Sequence, residues 1–263
     1  MKKTILILTI MVVCNLFMGY AQQPQNSTAT QSTSAESANV EGDGATRLAA
    51  IISTPRSEWL GSFDKINIVG HMQVTLIRIS EQEGTKIYFD TKGSTTTKFK
   101  TEIDKKGVLN VIETVDSKRT TVTEVKIYHH DLSSLSIAGA NVTMEQPFTQ
   151  KMFDLSVSGG ATLRAEVDVL DMNVMVTGCS SVILDGAVRY LGLKVSTAKF
   201  DASSLQTMAT IVDASHGAEV SLFVTERLEA TTSTSAKILY KGHPSLVRAH
   251  TSLFGGEIIS TDK

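Results

Sequence analysis

Leu155-Ser156-Val157-Ser158-Gly159-Gly160-Ala161-Thr162-Leu163 decides the fold, because variants of it recur down the second half of the chain. An apolar anchor stands at Val142, Leu163, Val182, Phe200, Val220, Ile238 and Ile258, at spacings of 21, 19, 18, 20, 18 and 20 residues. Two positions before each anchor lie Ala140, Ala161, Ser180, Ala198, Ala218, Ala236 and Gly256. Three before it lie Gly139, Gly160, Cys179, Thr197, Gly217, Ser235 and Gly255. All of these side chains are small. Upstream of each corner run short alternating strands such as Leu155-Ser156-Val157 and Val174-Met175-Val176. A period of about 20 residues, with strands and no helical pattern, predicts a parallel β-solenoid with coils stacked about 4.8 Å apart. Equivalent residues then form ladders along the stack. A sharp corner tolerates only small side chains, since a large one would meet its copies above and below.

The position just before each anchor tests this alignment. It reads Asn141, Thr162, Ser181, Lys199, Glu219, Lys237 and Glu257. In a stack, the last four form an outward ladder of alternating charge, which sets register without chemistry.

The first half also reads as strands. Ile66, Ile68, Val74, Leu76, Ile77 and Ile79 fall in short runs broken by Val69-Gly70-His71 and Glu83-Gly84. Ile87-Tyr88-Phe89, the pair Leu109 and Val111, and residues 122–128 continue the pattern. Residues 45–52 are the one expected short helix. The fold class is therefore all-β: a parallel β-helix-like solenoid preceded by a β-rich section. The expected solenoid domain spans residues 47–263, with an irregular β section at 60–130 and regular coils at 131–259.

The N-terminus reads as an address. Met1-Lys2-Lys3 is positive, residues 4–18 are almost continuously apolar, and Gly19-Tyr20-Ala21 sets small residues before a cut at Gln22. This is the anatomy of a secretory signal peptide over residues 1–21, too short for a membrane span. A lipoprotein anchored at Cys14 is the alternative, weakened by the poor lead-in Met11-Val12-Val13. Cleavage leaves Cys179 as the single cysteine, so burial and backbone pairing, not an internal disulfide, are expected to hold the domain. Residues 22–46, rich in Gln, Ser, Thr, Asn and Ala, are expected to form a flexible linker. The Asn26-Ser27-Thr28 sequon matters only in a host that glycosylates it.

The 263 residues carry 25 Lys+Arg against 27 Asp+Glu, a net charge of −2. Such balance argues against nucleic acid as a partner. No later stretch resembles a membrane helix.

The chain resembles the bacterial family called putative auto-transporter adhesin, head GIN domain. The resemblance begins at Phe63-Asp64-Lys65-Ile66-Asn67-Ile68-Val69-Gly70 and Val74-Thr75-Leu76. It continues through Leu132-Ser133-Ser134-Leu135-Ser136-Ile137-Ala138-Gly139-Ala140-Asn141-Val142 and Leu155-Ser156-Val157-Ser158-Gly159-Gly160-Ala161. It implies a right-handed β-helix-like fold in exported proteins of Bacteroidetes-type bacteria, and it supplies no catalytic or binding residues. The expected last repeat, residues 247–259, is followed by Ser260-Thr261-Asp262-Lys263 alone, where an autotransporter carries a translocator barrel. Self-export is not expected.

Polysaccharide cleavage requires carboxylates converging in one groove. The candidates Asp168, Asp171, Asp185, Asp201 and Asp213 share no column, and no adjacent coils are expected to offer acids at the same offset. They read as solvated turn residues. His71, His129, His130, His216, His243 and His250 form no metal-ligand spacing, and the adjacent His129 and His130 would face opposite sides of a strand. Cys179 falls in the small-residue column and reads as a buried inert thiol. Hydroxyl-rich residues 231–235 and the polar loop 92–97 are candidate ligand contacts. No catalytic, cofactor-binding or metal residues are assigned, and no cofactor is expected. The expected function is a non-catalytic exported cell-envelope binding or adhesion module. Its expected partner is a glycan or an envelope or host protein. The alternatives are a carbohydrate-active β-helix enzyme and a structural envelope protein that self-associates through an uncapped solenoid end.

Overall fold

The computed structural model describes residues 55–93, 97–115, 119–252 and 254–262. The signal peptide, the linker and the expected helix at 45–52 lie outside these residues. The described chain is all β, with no helix, and its strands join into one 17-stranded sheet that winds on itself as a solenoid.

In chain order the strands are β1 (Arg56–Trp59), β2 (Lys65–Val69), β3 (Met72–Arg78), β4 (Lys86–Asp90), β5 (Thr97–Ile103), β6 (Val108–Val115), β7 (Thr123–His129), β8 (Ser134–Ala138) and β9 (Asn141–Met144). The long strands follow: β10 (Phe148–Ser158), β11 (Thr162–Thr177), β12 (Ser181–Ser196), β13 (Lys199–Ser215) and β14 (Glu219–Thr232). The chain finishes with β15 (Ala236–Lys241), β16 (Leu246–Thr251) and β17 (Gly256–Ser260).

Each long strand bends once and serves two sheets. In β11, Leu163, Ala165, Val167 and Val169 point inward, then Leu170 and Asp171 both face out. Met172, Val174 and Val176 then resume the inward alternation. Two consecutive outward residues mark the bend, because a period of two cannot otherwise skip a place. We call the half after the tight corner the front sheet and the half before it the back sheet. The core between them is aliphatic, with Phe153 and Phe200 among its largest fully buried side chains.

The tight corners explain the two small columns differently. The second residue before each anchor faces inward and is buried from Ala140 to Ala236. The third residue before it has left-handed backbone in every coil, with φ between 53° at Thr197 and 76° at Gly139 and Gly160. Where its predecessor is also left-handed, as in Gly159-Gly160 or His216-Gly217, the corner is a type I′ turn. The Ala161 N–H closes one such turn on the Ser158 carbonyl at 3.3 Å.

The register matches the anchors. Leu163 pairs with Val182, Val182 with Phe200, Phe200 with Val220, Val220 with Ile238, and Ile238 with Ile258. The charged ladder stacks in the same order, with Lys199–Glu219 at 2.9 Å and Lys237–Glu257 at 3.5 Å. All four side chains are well exposed, so each pair contributes well under about 1 kcal/mol.

Within the section expected to be irregular, 60–130, part of the chain continues the parallel stack. Its strands β2–β3 and β6–β7 are further parallel rungs of the same stack, but not in chain order. β2 and β3 lie between the β6–β7 rung and the β8–β9 rung. The antiparallel strands β4, with β1 beyond it, and β5 cover the outer face of β6–β7. There Phe89 stacks on Phe99 with ring centroids 4.4 Å apart.

Two substitutions, one at the Gly160 corner and one at Gly186 inside β12, separate the causes of glycine. At Gly160 nothing lies within 4 Å of an added Cβ, whereas at Gly186, φ 107°, it would meet the Val167 carbonyl oxygen at 2.1 Å. Gly160→Ala is therefore expected to cost about 1–2 kcal/mol of left-handed strain, and Gly186→Ala markedly more. Denaturant midpoints measure both, and equal losses would contradict the close approach at Gly186. Along the ladder, Lys237→Glu sets three glutamates in a row and should cost up to about 1 kcal/mol at low ionic strength. That loss should shrink in about 1 M salt; a salt-independent loss would point to packing instead of charge.

Candidate functional site

The back sheet carries a groove of about 500 Å³. It forms at a missing side chain. Gly192 occupies an outward position in β12, with Asn173 on the rung below it and Ile211 on the rung above. On its own strand the next outward neighbours are Tyr190 and Lys194. Asp171, Met175, Ala209 and Asp213 complete the surround, placed by the same register. A pit one side chain deep results, walled by Met175 and Ile211, which are 49% and 59% exposed. Tyr190 and Met152 extend the apolar surface beside it, and both are exposed.

Polar groups rim the pit. Asn173 donates from Nδ2 to Asp154 Oδ1 at 3.1 Å, which turns its Oδ1 over Gly192. A Cβ on Gly192 would lie 2.8 Å from that oxygen. Lys194 and Asp213 stand side by side on adjacent rungs at the other edge. The arrangement can seat a small apolar group between hydrogen-bonding rims. A smaller hollow of about 380 Å³ lies on the front sheet, where Thr162 Oγ1 donates to Asn141 Oδ1 at 2.8 Å.

The expected aspartates are scattered. Asp168 stacks between Thr149 and Ala187, Asp171 between Met152 and Tyr190, Asp201 between Ile183 and Ser221, and Asp213 between Lys194 and Thr231. One expectation fails. Asp185 pairs directly with Glu166, so two adjacent coils do offer acids at one offset. A column comparison restricted to aspartate missed this pair, which is on the front sheet and lines neither hollow. Within the groove, Asp154 and Asp213 are three rungs apart, roughly 14 Å at the ordinary strand spacing. Acid–base pairs in glycoside hydrolysis stand no more than about 10 Å apart.

Among the described residues, no group of three or more His, Cys, Asp or Glu could hold a metal ion. His129 and His130 do face opposite ways. His129 is buried, with Nδ1 2.6 Å from the His130 carbonyl oxygen, and His130 Nε2 reaches the Glu83 carbonyl oxygen at 2.9 Å. His216 takes up a left-handed corner, and His71, His243 and His250 are exposed. Cys179, expected to be buried, sits half-exposed at a corner with φ 62°.

Residues 231–235 form no open hydroxyl row. Thr232 is fully buried in the core and Thr234-Ser235 make a corner. Lys92 is engaged with Asp90 at 3.1 Å and Glu124 at 3.0 Å, while residues 94–96 lie outside the described structure. Of the residues around the groove the sequence reading named Asp171 and Asp213, as carboxylates alone, and missed Gly192, Asn173, Met175 and Ile211. An outward glycine in a strand, flanked by exposed methionine and isoleucine, was the signal available.

The family described as putative auto-transporter adhesin, head GIN domain, matches residues 62–244. The chain belongs to this family. Its head GIN fold is shared with solved structures of low sequence identity. A putative adhesin from Bacteroides fragilis superposes with a TM-score of 0.68 at 17% identity, covering 79% of this chain and 96% of its own. A putative lipid binding protein from Parabacteroides distasonis gives 0.59 at 14%, covering 78% and 96%. A putative adhesin from Parabacteroides merdae gives 0.58 at 17%, covering 78% and 95%. No curated protein matches the sequence. These likenesses establish the head GIN fold. No described helix is long and apolar enough to cross a membrane.

His129 supplies a pH test of this fold. Burial pushes its imidazole below the ordinary 6.5, so the folded chain holds it neutral. Its contribution is complete above pH 6.5 and is lost as pH falls below that value, because the unfolded chain takes up the proton first. Unfolding midpoints of the wild type should therefore drop on acidification below pH 6.5, and His129→Gln should flatten that drop. An unchanged slope in the variant would assign the acid sensitivity elsewhere.

Proposed function

We propose that the chain is an exported, non-catalytic binding module of the cell envelope, with the back-sheet groove as its ligand surface. The observation that carries this reading is the pit at Gly192. It is the place where an orderly stack leaves out a side chain between exposed apolar walls and polar rims. The chemistry fits a short apolar side chain from an extended protein segment, whose backbone meets Asn173, Asp154 and Lys194. Methionine and isoleucine walls suit such a guest, since methionine adapts to varied shapes. Sugar rings are held by exposed aromatic faces, and the pit's walls are Met175 and Ile211, with Tyr190 beside them. The signal-peptide anatomy of residues 1–21 and the polar segment 22–46 support export followed by display on a tether. A carbohydrate-active enzyme draws no support from the two acids that line the groove, Asp154 and Asp213, which stand three rungs apart.

Gly192→Leu tests the assignment. The backbone there is not left-handed, so a larger side chain fits the strand and need only displace the Asn173 amide. Binding to immobilised envelope-protein peptides should fall at least tenfold, with a melting temperature within a few degrees of wild type. Unchanged peptide binding would move the function off this groove. Binding to a glycan array instead, lost in the same variant, would keep the site and replace the protein ligand with a sugar.

A further inference from the structure

The two ends of the solenoid differ. At the β16–β17 end the inward columns run out into the open. Ile238 and Leu228 are fully buried, yet Ile258 on the next front rung is half-exposed and Val247 on the next back rung is 41% exposed. Leu246, Ile259 and Phe254 add further exposed apolar surface, Phe254 at 87%. Phe254 also holds left-handed backbone, φ 81°, which is strained for a bulky residue. Among the described residues, β16 and β17 pair on one side only, so each offers a free backbone edge. Uncovered core columns and two free strand edges in one plane are the makings of an interface.

We propose that this end joins two copies of the chain about a two-fold axis parallel to the strands. Such an axis exchanges front and back sheets, so β16 of one copy lies beside β17 of the other. The two strands of a rung run in opposite directions, so this new pairing is antiparallel. The side chains match. In the registers that keep core residues inward, Ile258 of the second copy faces Val247 or Ala249, and its Glu257 faces Arg248 or His250. Where Glu257 faces Arg248, opposite charges meet twice, once on each sheet; where it faces His250, a carboxylate meets a hydrogen-bonding imidazole. A two-fold axis through the sheets would pair β16 with β16 and β17 with β17, removing Glu257 from every cation of the second copy. Charge thus selects the exchange. Because an isologous contact uses the same surface on both copies, assembly closes at two and does not grow into a fibre.

Sedimentation velocity of the exported chain across a concentration series reads this directly. The wild type should move from monomer to dimer, and Val247→Asp should weaken that association at least tenfold without lowering the melting temperature by more than a few degrees. A charge exchange tests the pairing. Glu257→Lys alone and the double variant Arg248→Glu, His250→Glu alone should each dimerise poorly, and their equimolar mixture should recover dimer. A wild type monomeric at all concentrations overturns the proposal, as do open-ended oligomers. A dimer indifferent to all these variants, or a mixture that does not recover, places the contact elsewhere and overturns it too.

Discussion

The in-register backbone ladder between successive coils is the constraint on which everything else depends. Once Leu163 is hydrogen-bonded level with Val182, each residue of the coil has its equivalent about 4.8 Å above or below it. A side chain is therefore judged against copies of its own position. Inside the corner this admits only Ala, Ser or Gly, and the one hydroxyl so placed in mid-stack, Ser180, is satisfied by donating to the Thr177 carbonyl at 2.7 Å. Outside, it favours alternating charge, as in Lys199, Glu219, Lys237 and Glu257. The Glu166–Asp185 contact shows the limit of that preference. Two carboxylates can stack where water screens them, because like charges cost little on a solvated face.

Ladders must stop, and the two ends solve this differently. At the N-terminal end the chain lays the β2–β3 rung first, runs outward through antiparallel β4 and β5, and then returns as β6–β7 on the outer side. Reversal of strand direction covers the last parallel rung. The return corner is held by a buried ion pair, Arg119 to Glu113 at 2.6 Å, with Arg119 also donating to Thr123 Oγ1 at 2.7 Å and to the Thr91 carbonyl at 3.1 Å. Such a pair fixes one geometry for the corner, because losing either partner would strand a charge in the interior. Among the described residues the other end has no such device, and its apolar columns are exposed.

The sequence makes the front sheet readable and the back sheet obscure for a definite reason. Front-sheet columns begin at the corner, so counting from the anchor finds them. Back-sheet columns must be counted backward across a corner whose length varies. At Thr197 only one residue is left-handed where Gly178-Cys179 and His216-Gly217 use two, and the corner is one residue shorter. Met175 and Asp213 therefore lie seven residues before their anchors, but Lys194 lies six before its own. The bulge between Ala202 and Gln206 breaks the count from the other side. Gly192 was hidden by these two irregularities, although its surroundings were all present in the sequence. The first rungs were hidden differently: antiparallel strands inserted between β3 and β6 interrupt the period that would have revealed them.

Irregularity is also what gives a periodic surface an address. A perfect ladder offers the same column many times, and a ligand bound at one rung would bind equally at the next. Specific recognition needs a rung that differs from its neighbours. The short corner at Thr197 follows directly on β12, the strand that carries the outward Gly192, so the shift in register and the missing side chain lie close together. Neighbouring rungs carry Asn173 and Ile211 at that place, and they become the pit's two ends. The stack supplies rigidity, since its walls are pinned by ladders on both sides. The single defect supplies a position. Where the described residues hold no cluster of metal ligands, a single defect in the stack still marks one rung by its shape and its polar rim.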